Sequence, residues 1–362
     1  MTEQVLKQEE RISIRLRTLY KKYGYQPYKM SKFEEYDLYV ANKEFLVGDG
    51  VITFNDTNGK LLALKPDVTL SIIRNSAEDG IRKVYYDENV YRISAKTKQF
   101  KEIRQVGLER IGEIAVYDVY ETLCLAAGSL AEISENFVLD VSHLGVLSAV
   151  LDSVCTDKAF QNAVMQNLAE KNIHETEALC NKFGVDDKDK EKLLTMFTAY
   201  GNVDEVLAKI APVCKGKAKE PFKRLQTLCK LLSASKYADK IRLDFSVVND
   251  MNYYNDVVFK GFIDGVAEGV LSGGRYDKMM ERLGKNTGAI GFAVYLDLLD
   301  GFNEEKSATD VDVVVLYDES SSVSKVVKTV EKLIKKGNTV SAQTKATAIR
   351  CKETVDLRGG SV

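Results

Sequence analysis

A helical pattern over residues 144–238, flanked on both sides by strand patterns, is the feature that most limits how this chain can fold. The stretch holds short amphipathic segments, whose breaks fall near Lys171, Asn172, Gly184, Gly201 and Pro212. The lysines and glutamates on these segments are typical of solvated helix faces. The chain has 362 residues, more than one ordinary core accommodates. We therefore predict an α+β protein in which an all-helical subdomain is inserted between two groups of strands.

The domain organisation follows from these changes of pattern along the chain. Residues 1–143 and 239–303 are predicted to form the two parts of one α+β core. Residues 144–238 are predicted to form the helical insertion between them. Residues 304–362 are predicted to form a small C-terminal β-α-β region, which is too short to bury a core alone.

The first part of the core begins with apolar residues at helical spacing over residues 5–22. Residues 51–65 predict a β-hairpin, because two β-rich runs flank the turn dipeptide Asn58-Gly59. Asp67 lies just beyond the hairpin and is placed to cap the helix that follows.

Two long strands, predicted over residues 82–94 and 100–112, carry the most informative alternation in the chain. One face of the second strand presents Ile103, Gln105, Gly107, Glu109 and Ile111. An amide and a carboxylate flank a glycine on that face, and the missing side chain leaves room between them. This pattern fits a pocket floor that binds an amine or an amide. It fits a solvent-facing edge strand as well, and spacing alone leaves both interpretations open.

The remaining elements are read from shorter patterns. A long, largely apolar helix is predicted over residues 113–135. After the insertion, strand patterns cover 241–248, 253–263 and 265–274, a helix covers 275–284, and an apolar strand runs into a helix over 287–302. In the tail, a strand, a helix and a second strand are predicted over 310–318, 322–337 and 338–343, with a frayed terminus over 355–362.

Composition excludes several classes of function. The net charge of −2 argues against nonspecific attraction to nucleic acids or membranes. The six cysteines form no Cys-x-x-Cys pair, and neither His143 nor His174 neighbours a cysteine. We therefore expect no metal site, no cofactor and reduced thiols, as in a cytoplasmic protein. No apolar run approaches the roughly 20 residues of a membrane span, and the charged N-terminus lacks a signal-peptide core.

Five segments, taken in their order along the chain, read "LALKPDVTLSIIR", "NVYRI…FKEIRQVGLERIG", "MNYYNDVVF", "VLSGGRYDKMMERLG" and "GAIGFAVYLDLL". Together they resemble the catalytic core of histidyl-tRNA synthetases. The resemblance covers roughly residues 5–300 and is specific because the order and the spacing agree. It implies a class II aminoacyl-tRNA synthetase-like fold, in which helices flank an antiparallel sheet.

The resemblance implies roles for several polar residues. Asp67 and Thr69 match the Glu and the Thr that contact the amino-acid substrate in the family. Gln105 and Glu109 match residues that grip the histidine ammonium, in agreement with the face of the strand described above. Arg92 matches the motif 2 arginine that holds the α-phosphate of ATP.

The resemblance also implies an aromatic, glycine-rich wall for the pocket. Tyr253 and Tyr254 match the tyrosines of the histidine pocket. The same wall is completed in the family by the residues that match Gly273, Gly274, Arg275 and Tyr276. Without the resemblance, a tight turn with a surface arginine is the better interpretation of "VLSGGRYDK" over residues 270–278.

The departures from the family pattern bear on catalysis. Asn249 stands where the family has its histidyl-specific catalytic arginine, and Leu298 stands at the motif 3 arginine that clamps the ATP triphosphate. Neither side chain supplies the fixed charge and donor fork that such a clamp requires. Ser31 replaces the motif 1 proline. The tail is also about half as long as an anticodon-binding domain, judged against an ordinary domain minimum.

A synthetase-like core with these changes resembles the regulatory subunits of ATP phosphoribosyltransferase, which are catalytically silent and act in the first step of histidine biosynthesis. That family implies a short-form catalytic subunit as partner, a homodimeric core, histidine as a ligand and no tRNA. The alternatives are a histidyl-tRNA synthetase with unusual motifs, and a synthetase-like binder of tRNA or another protein. The near-neutral charge disfavours a tRNA binder.

Overall fold

The protein is described by a computed structural model. It describes residues 6–42, 50–75, 82–93, 97–248, 253–302 and 309–359. The chain divides into two compact units, Met1–Phe302 and Asn303–Val362. The helical insertion predicted over 144–238 lies inside the first unit and shares a continuous apolar core with its sheet. The boundaries between core and insertion stay predictions.

The first part of this unit alternates short strands with helices before its two long strands. Its elements are α1 (Gln8–Lys22), β1 (Gln26–Pro27), β2 (Phe33–Glu35), α2 (Tyr36–Val40), β3 (Thr53–Asn55), β4 (Leu61–Leu64), α3 (Thr69–Arg74), β5 (Arg82–Ile93), β6 (Phe100–Gly112), α4 (Val116–Ala131) and β7 (Phe137–His143). The predicted first helix, the long strand pair and the long helix are confirmed, with ends shifted by a few residues.

The second part of the unit holds the helical stretch and the strands that complete the sheet. Its elements are α5 (Leu144–Val154), α6 (Lys158–Ala169), α7 (Ile173–Phe183), α8 (Asp187–Phe197), β8 (Tyr200–Gly201), α9 (Val203–Ile210), α10 (Lys219–Leu232), β9 (Ile241–Asp244), β10 (Val257–Ile263), β11 (Leu271–Arg275), α11 (Asp277–Arg282) and β12 (Gly288–Tyr295). The expectation that 144–238 is helical throughout is wrong at β8, which pairs with β9 at the edge of the sheet.

Within the described ranges, the main sheet has nine strands in the order β1-β5-β6-β12-β11-β10-β7-β9-β8. Its centre, from β5 to β7, is antiparallel throughout, as predicted. The prediction of an antiparallel sheet fails only toward the edges, where β1 runs parallel to β5 and β9 runs parallel to β7. Strands on both sides of the helical insertion therefore complete one sheet.

The predicted hairpin is confirmed as β3 and β4, which pair antiparallel. The carboxylate of Asp56 accepts hydrogen bonds from the amides of Asn58 and Lys60, and Gly59 has a φ of +79°. A glycine there avoids the strain that a side chain meets in the left-handed region. The sequence did not reveal β2, which adds a third strand next to β4.

Several predicted elements are shorter in the structure than their sequence patterns indicate. The strand predicted over 253–263 begins at Val257, so the two tyrosines of the predicted pocket precede β10 rather than belong to it. The apolar stretch over 287–302 forms β12 and then a single 3₁₀ turn, Leu296–Leu299, instead of a longer helix. The helix that Asp67 is predicted to cap is α3, which ends at Arg74. Residues 76–81 lie outside the described ranges.

The second unit is built from β13 (Val311–Leu316), α12 (Val323–Lys335), β14 (Val340–Gln343) and β15 (Cys351–Asp356). The predicted β-α-β unit is confirmed, since β14 runs parallel to β13 on one side. The frayed terminus predicted from residue 355 is wrong at Val355 and Asp356, because both lie in β15, which pairs parallel to β13 on the other side. Hydrogen bonding to a buried central strand orders that segment.

Three further features of the described residues concern membrane spans, metal ligands and cysteines. No helix among them is long and apolar enough to cross a membrane. No group of three or more His, Cys, Asp or Glu side chains is arranged there to hold a metal ion. The six cysteines are free, and Cys180, Cys214 and Cys229 are buried.

Candidate functional site

A cavity of about 700 Å³ opens on the central strands of the sheet. Its lining includes eight of the residues predicted for a ligand site: Asp67, Thr69, Arg92, Gln105, Glu109, Tyr253, Tyr254 and Tyr276. Leu298 also lines it, whereas Asn249 lies outside the described residues. Ser31 is exposed and accepts a hydrogen bond from the amide of Phe33. Most of the residues that the sequence predicts for the ligand site therefore line one cavity.

The alternation of β6 directs Gln105 and Glu109 to the same face, and both are buried. Glu109 Oε1 accepts a hydrogen bond from the hydroxyl of Thr69 at 2.8 Å. Its other oxygen, Oε2, accepts one from the hydroxyl of Tyr276. Burial raises the pKa of Glu109 to about 8, although both hydrogen bonds act in the opposite direction. The face is therefore a buried polar floor, and the edge-strand interpretation is wrong.

Gly107 does not leave the empty space on this floor that the sequence suggests. It lies opposite Tyr86 on β5, and a Cβ at Gly107 would lie 2.6 Å from Cζ of that tyrosine. The room that the glycine creates is filled by the Tyr86 ring, which itself lines the cavity. The sequence did not identify Tyr86, because only the strand register shows that it faces a glycine.

Gly291 is a second residue that sequence reasoning missed. It lies opposite Glu109 in the pairing of β6 with β12, and a Cβ there would overlap Oε2 of Glu109. The carboxylate therefore occupies space that only a glycine provides.

Gly291→Ala is expected to displace the Glu109 carboxylate and to destabilise the protein by about 1–3 kcal/mol through overpacking. Urea unfolding of the wild type, of Gly291→Ala, of Glu109→Ala and of the double variant measures this effect. The overlap predicts that the loss caused by Gly291→Ala becomes smaller once Glu109 is already alanine. Strictly additive losses would show that the glycine has another role.

At one side of the cavity, Asp67 and Arg92 form an ion pair with 3.8 Å between Oδ2 and the guanidinium. Asp67 Oδ1 also accepts the amide of Leu70 at 2.9 Å, so it caps the first turn of α3 as predicted. Burial raises the pKa of Asp67, and the charge of Arg92 partly offsets this. Arg92 donates from Nε to the carbonyl of Pro66 at 2.8 Å, so its orientation is fixed from two directions.

Three residues predicted for the cavity wall, Gly273, Gly274 and Arg275, lie outside its lining. A Cβ at Gly274 would lie 2.8 Å from Cε1 of Tyr254, so the glycine makes room for that ring. A Cβ at Gly273 would lie 2.7 Å from Cζ of Phe259. The glycine pair therefore packs aromatic rings instead of leaving space for a ligand.

Arg275 belongs to a network of ion pairs behind the wall. Its Nε lies 2.7 Å from Oδ2 of Asp277, and its NH1 lies 3.6 Å from Oδ2 of Asp256. Asp256 also lies 3.0 Å from Nε2 of His143, whose Nδ1 accepts the amide of Val146 at the start of α5. The structure does not support the prediction that Arg275 is a wall residue, because Arg275 is absent from the cavity lining and its guanidinium is paired with two carboxylates. Through Asp256 and His143, this network connects Arg275 to the start of α5.

The outer part of the cavity carries charges that the sequence did not single out. Lys101 Nζ lies 2.7 Å from Oδ2 of Asp297, while Oδ1 of Asp297 is buried and has no hydrogen-bond partner among the described residues. Lys260 and Glu268 complete this part of the lining. Among the lining residues, the four carboxylates of Asp67, Glu109, Glu268 and Asp297 outnumber the three cations of Arg92, Lys101 and Lys260.

Comparison with known proteins gives the relatives of this chain. The family model described as "Histidyl-tRNA synthetase" matches residues 1–299. A curated protein of Alkaliphilus metalliredigens, named ATP phosphoribosyltransferase regulatory subunit, is 27% identical over 285 residues, which cover 76% of this chain and 72% of the relative.

Two solved structures show the same fold. An ATP phosphoribosyltransferase regulatory subunit/histidyl-tRNA synthetase from Bacillus halodurans superposes with a TM-score of 0.78 at 21% identity, covering 98% of this chain and 94% of the other. A chain of the ATP phosphoribosyltransferase (HisG:HisZ) complex from Thermotoga maritima superposes with a TM-score of 0.64 at 17% identity, covering 80% of this chain and 97% of the other. Both likenesses support the class II synthetase-like core that the sequence predicted.

Proposed function

This chain belongs to the histidyl-tRNA synthetase family, and on that premise we propose that it acts as a non-catalytic regulatory subunit of ATP phosphoribosyltransferase. In this role it supports the first step of histidine biosynthesis without activating histidine itself. Two lines of support are the names of its curated relatives and the chemistry of the cavity. Leu298 in the lining is the observation that carries the non-catalytic part of the proposal.

The charges of the cavity are poorly suited to a nucleoside triphosphate. Phosphoryl and nucleotidyl chemistry depends on cations that clamp the phosphate oxygens. Arg92 and Lys101 each face a carboxylate of the same cavity, and the aliphatic Leu298 adds no charge. The lining therefore supplies little unopposed positive charge for a triphosphate. Asn249, the other replaced arginine of the family pattern, lies outside the described residues.

Catalytic silence is therefore expected in histidine-dependent exchange of pyrophosphate into ATP. The purified protein should give no exchange above background, whereas an ordinary enzyme turns over at about 1 per second or faster. A histidyl-tRNA synthetase assayed in parallel is the positive control. Exchange at an ordinary enzymatic rate would support the synthetase alternative and contradict the regulatory role.

The proposed partner is a short-form ATP phosphoribosyltransferase catalytic subunit. The name of the Thermotoga maritima structure, an ATP phosphoribosyltransferase complex, supports this choice. Size-exclusion chromatography of the two purified proteins, separately and mixed, tests it. We expect the mixture to elute earlier than either protein alone and to contain both chains. Elution at the two separate positions at micromolar concentration would count against the partnership.

We propose that the core is a homodimer. The first helix supports this, because Ile14 on α1 is 42% exposed although its neighbours Ile12 and Leu16 are buried. Two-fold pairing is also the commonest symmetry of oligomers. Light scattering of the isolated protein at micromolar concentration should give twice the chain mass of 40.4 kDa. A monomer mass would contradict the dimer and leave the catalytic assay unaffected.

Histidine is the ligand that we propose for the cavity. Glu109 supplies a carboxylate for an ammonium group, and the lining tyrosines supply apolar walls for an imidazole. If histidine binds one conformation of the complex more tightly than another, it biases the complex by that difference in affinity. Feedback by histidine on the partner would follow from this bias.

A further inference from the structure

Aromatic side chains form much of the lining of the cavity. Six of them contribute to it: Tyr86, Tyr253, Tyr254, Tyr276, Phe292 and Tyr295. The ring centroids of Tyr253 and Tyr254 are 4.6 Å apart, and those of Tyr253 and Tyr276 are 5.7 Å apart. The negative faces of aromatic rings attract cations, most strongly where water is excluded. An aromatic wall of this kind favours a positively charged ligand.

The carboxylates of the cavity favour the same kind of ligand. Within the part of the chain that the structure describes, Glu109 accepts hydrogen bonds from two hydroxyl groups, those of Thr69 and Tyr276, and from no cation. Burial raises the pKa of Glu109 and also that of Asp67. A site that disfavours negative charge on its own acids gains most from a ligand that brings a positive charge.

A cationic receptor for a ligand carboxylate is poorly developed in the same lining, where the amide of Gln105 is a neutral donor. Arg92 is held by Asp67 and by the carbonyl of Pro66, and Lys101 is paired with Asp297. The remaining lining cation is Lys260. Its side chain packs against Gly269, because a Cβ on that glycine would lie 3.0 Å from Cδ of the lysine. Its Nζ lies 5.5 Å from the ring centre of Phe262. These cations are therefore already engaged or lie at the outer part of the cavity.

We propose that the cavity selects a small organic cation, an ammonium group on an aromatic or apolar body, and that a carboxylate on the ligand is dispensable. The inference rests on the proposed role of the cavity as a ligand site and narrows the class of ligand. The ammonium lies against Glu109 and the tyrosine rings, and the body of the ligand occupies the aromatic walls. A carboxylate finds no unpaired arginine in the described lining.

Isothermal titration of the full chain at pH 7.5 with three probes separates the two ends of the ligand. The probes are histidine, histamine (which lacks the carboxylate) and imidazolepropionate (which lacks the amine). We expect histamine to bind within about threefold of histidine, or more tightly. Imidazolepropionate should bind on the order of 100-fold more weakly than histamine, because it offers nothing to the buried carboxylate.

One substitution and its control test whether Glu109 binds the cation. Glu109→Gln keeps the size of the side chain and its capacity to hydrogen-bond Thr69, and it should weaken histamine and histidine alike by at least about 30-fold. Glu281→Gln, on the exposed face of α11, is the matched control and should bind like the wild type. Thermal unfolding of each variant shows that it is folded before titration.

Two outcomes would overturn this inference. One is histidine binding 30-fold or more tightly than histamine, which would show that the carboxylate is recognised. The other is the absence of binding by histamine at millimolar concentration. Both leave the regulatory role standing, because stimulation of the catalytic subunit is measured without any of these probes. Failure of that stimulation, with histamine bound as expected, would instead reject the regulatory role and keep the cation site.

Discussion

Glu109→Ala is expected to weaken the binding of histidine by about 2–5 kcal/mol, which corresponds to roughly 30-fold to several thousandfold in Kd. The substitution removes the buried carboxylate that lies between the hydroxyls of Thr69 and Tyr276. The ligand ammonium would then be desolvated without an anionic partner, and two buried hydroxyl donors would lose their acceptor.

Calorimetric titration of the wild type and of Glu109→Ala measures this loss. Glu281→Ala is the matched control, because it removes an exposed carboxylate from α11 and should leave the Kd unchanged. A Glu109→Ala protein that binds histidine within threefold of the wild type would show that the ammonium lies elsewhere. A wild-type protein that binds no histidine at millimolar concentration would show that histidine acts on the catalytic subunit instead.

The second large effect is expected in the pH dependence of stability. The pKa of Glu109 is raised to about 8 in the folded, ligand-free protein, whereas an unfolded glutamate titrates near about 4.3. A proton bound more tightly in the folded state stabilises it, and this contribution is complete below the unfolded pKa. It is lost progressively as the pH rises toward the folded pKa, at up to about 1.4 kcal/mol per pH unit.

Urea unfolding of the wild type and of Glu109→Gln at pH 5.5, 6.5 and 7.5 isolates this contribution. Glutamine does not titrate, so the stability of the variant relative to the wild type should rise with pH. Asp140, whose pKa is also raised mainly by burial, titrates in both proteins and cancels in the difference. Asp67 does not cancel fully, because its charge acts on Glu109. Parallel curves for the two proteins would contradict a raised pKa at Glu109.

Strand alternation was sufficient to place the two polar residues of the floor on one face, although it left open whether that face is a pocket floor or a solvent-facing edge. The period of two along β6 placed Gln105 and Glu109 on one face, and the structure buries both. The turn chemistry of Asn58-Gly59 was likewise sufficient for the hairpin of β3 and β4. In each case the information is local, because it depends on neighbouring residues of one segment.

The parts that could not be predicted depend on contacts between distant segments. Tyr86 fills the space above Gly107, and Gly291 makes room for Glu109, but both relations follow from the register between strands. Arg275 was misplaced for a similar reason. Its partner Asp277 is close in sequence, but Asp256 belongs to a different segment, and only the fold brings both carboxylates to the guanidinium.

The end of the chain shows the same limit. Residues 351–356 carry charges and few apolar side chains, so the pattern predicted no strand at the frayed end. In the structure their backbone pairs with the buried central strand β13. Backbone hydrogen bonding to a neighbour therefore decided the conformation where side-chain pattern did not.

The most direct test of the proposed function is the turnover of a short-form ATP phosphoribosyltransferase catalytic subunit, measured with and without this protein. Formation of the phosphoribosylated ATP product is followed at a fixed catalytic-subunit concentration while this chain is added. The regulatory role predicts that activity rises with the added chain and saturates near a fixed molar ratio. Activity that stays unchanged up to a large molar excess, with both proteins folded, would contradict it.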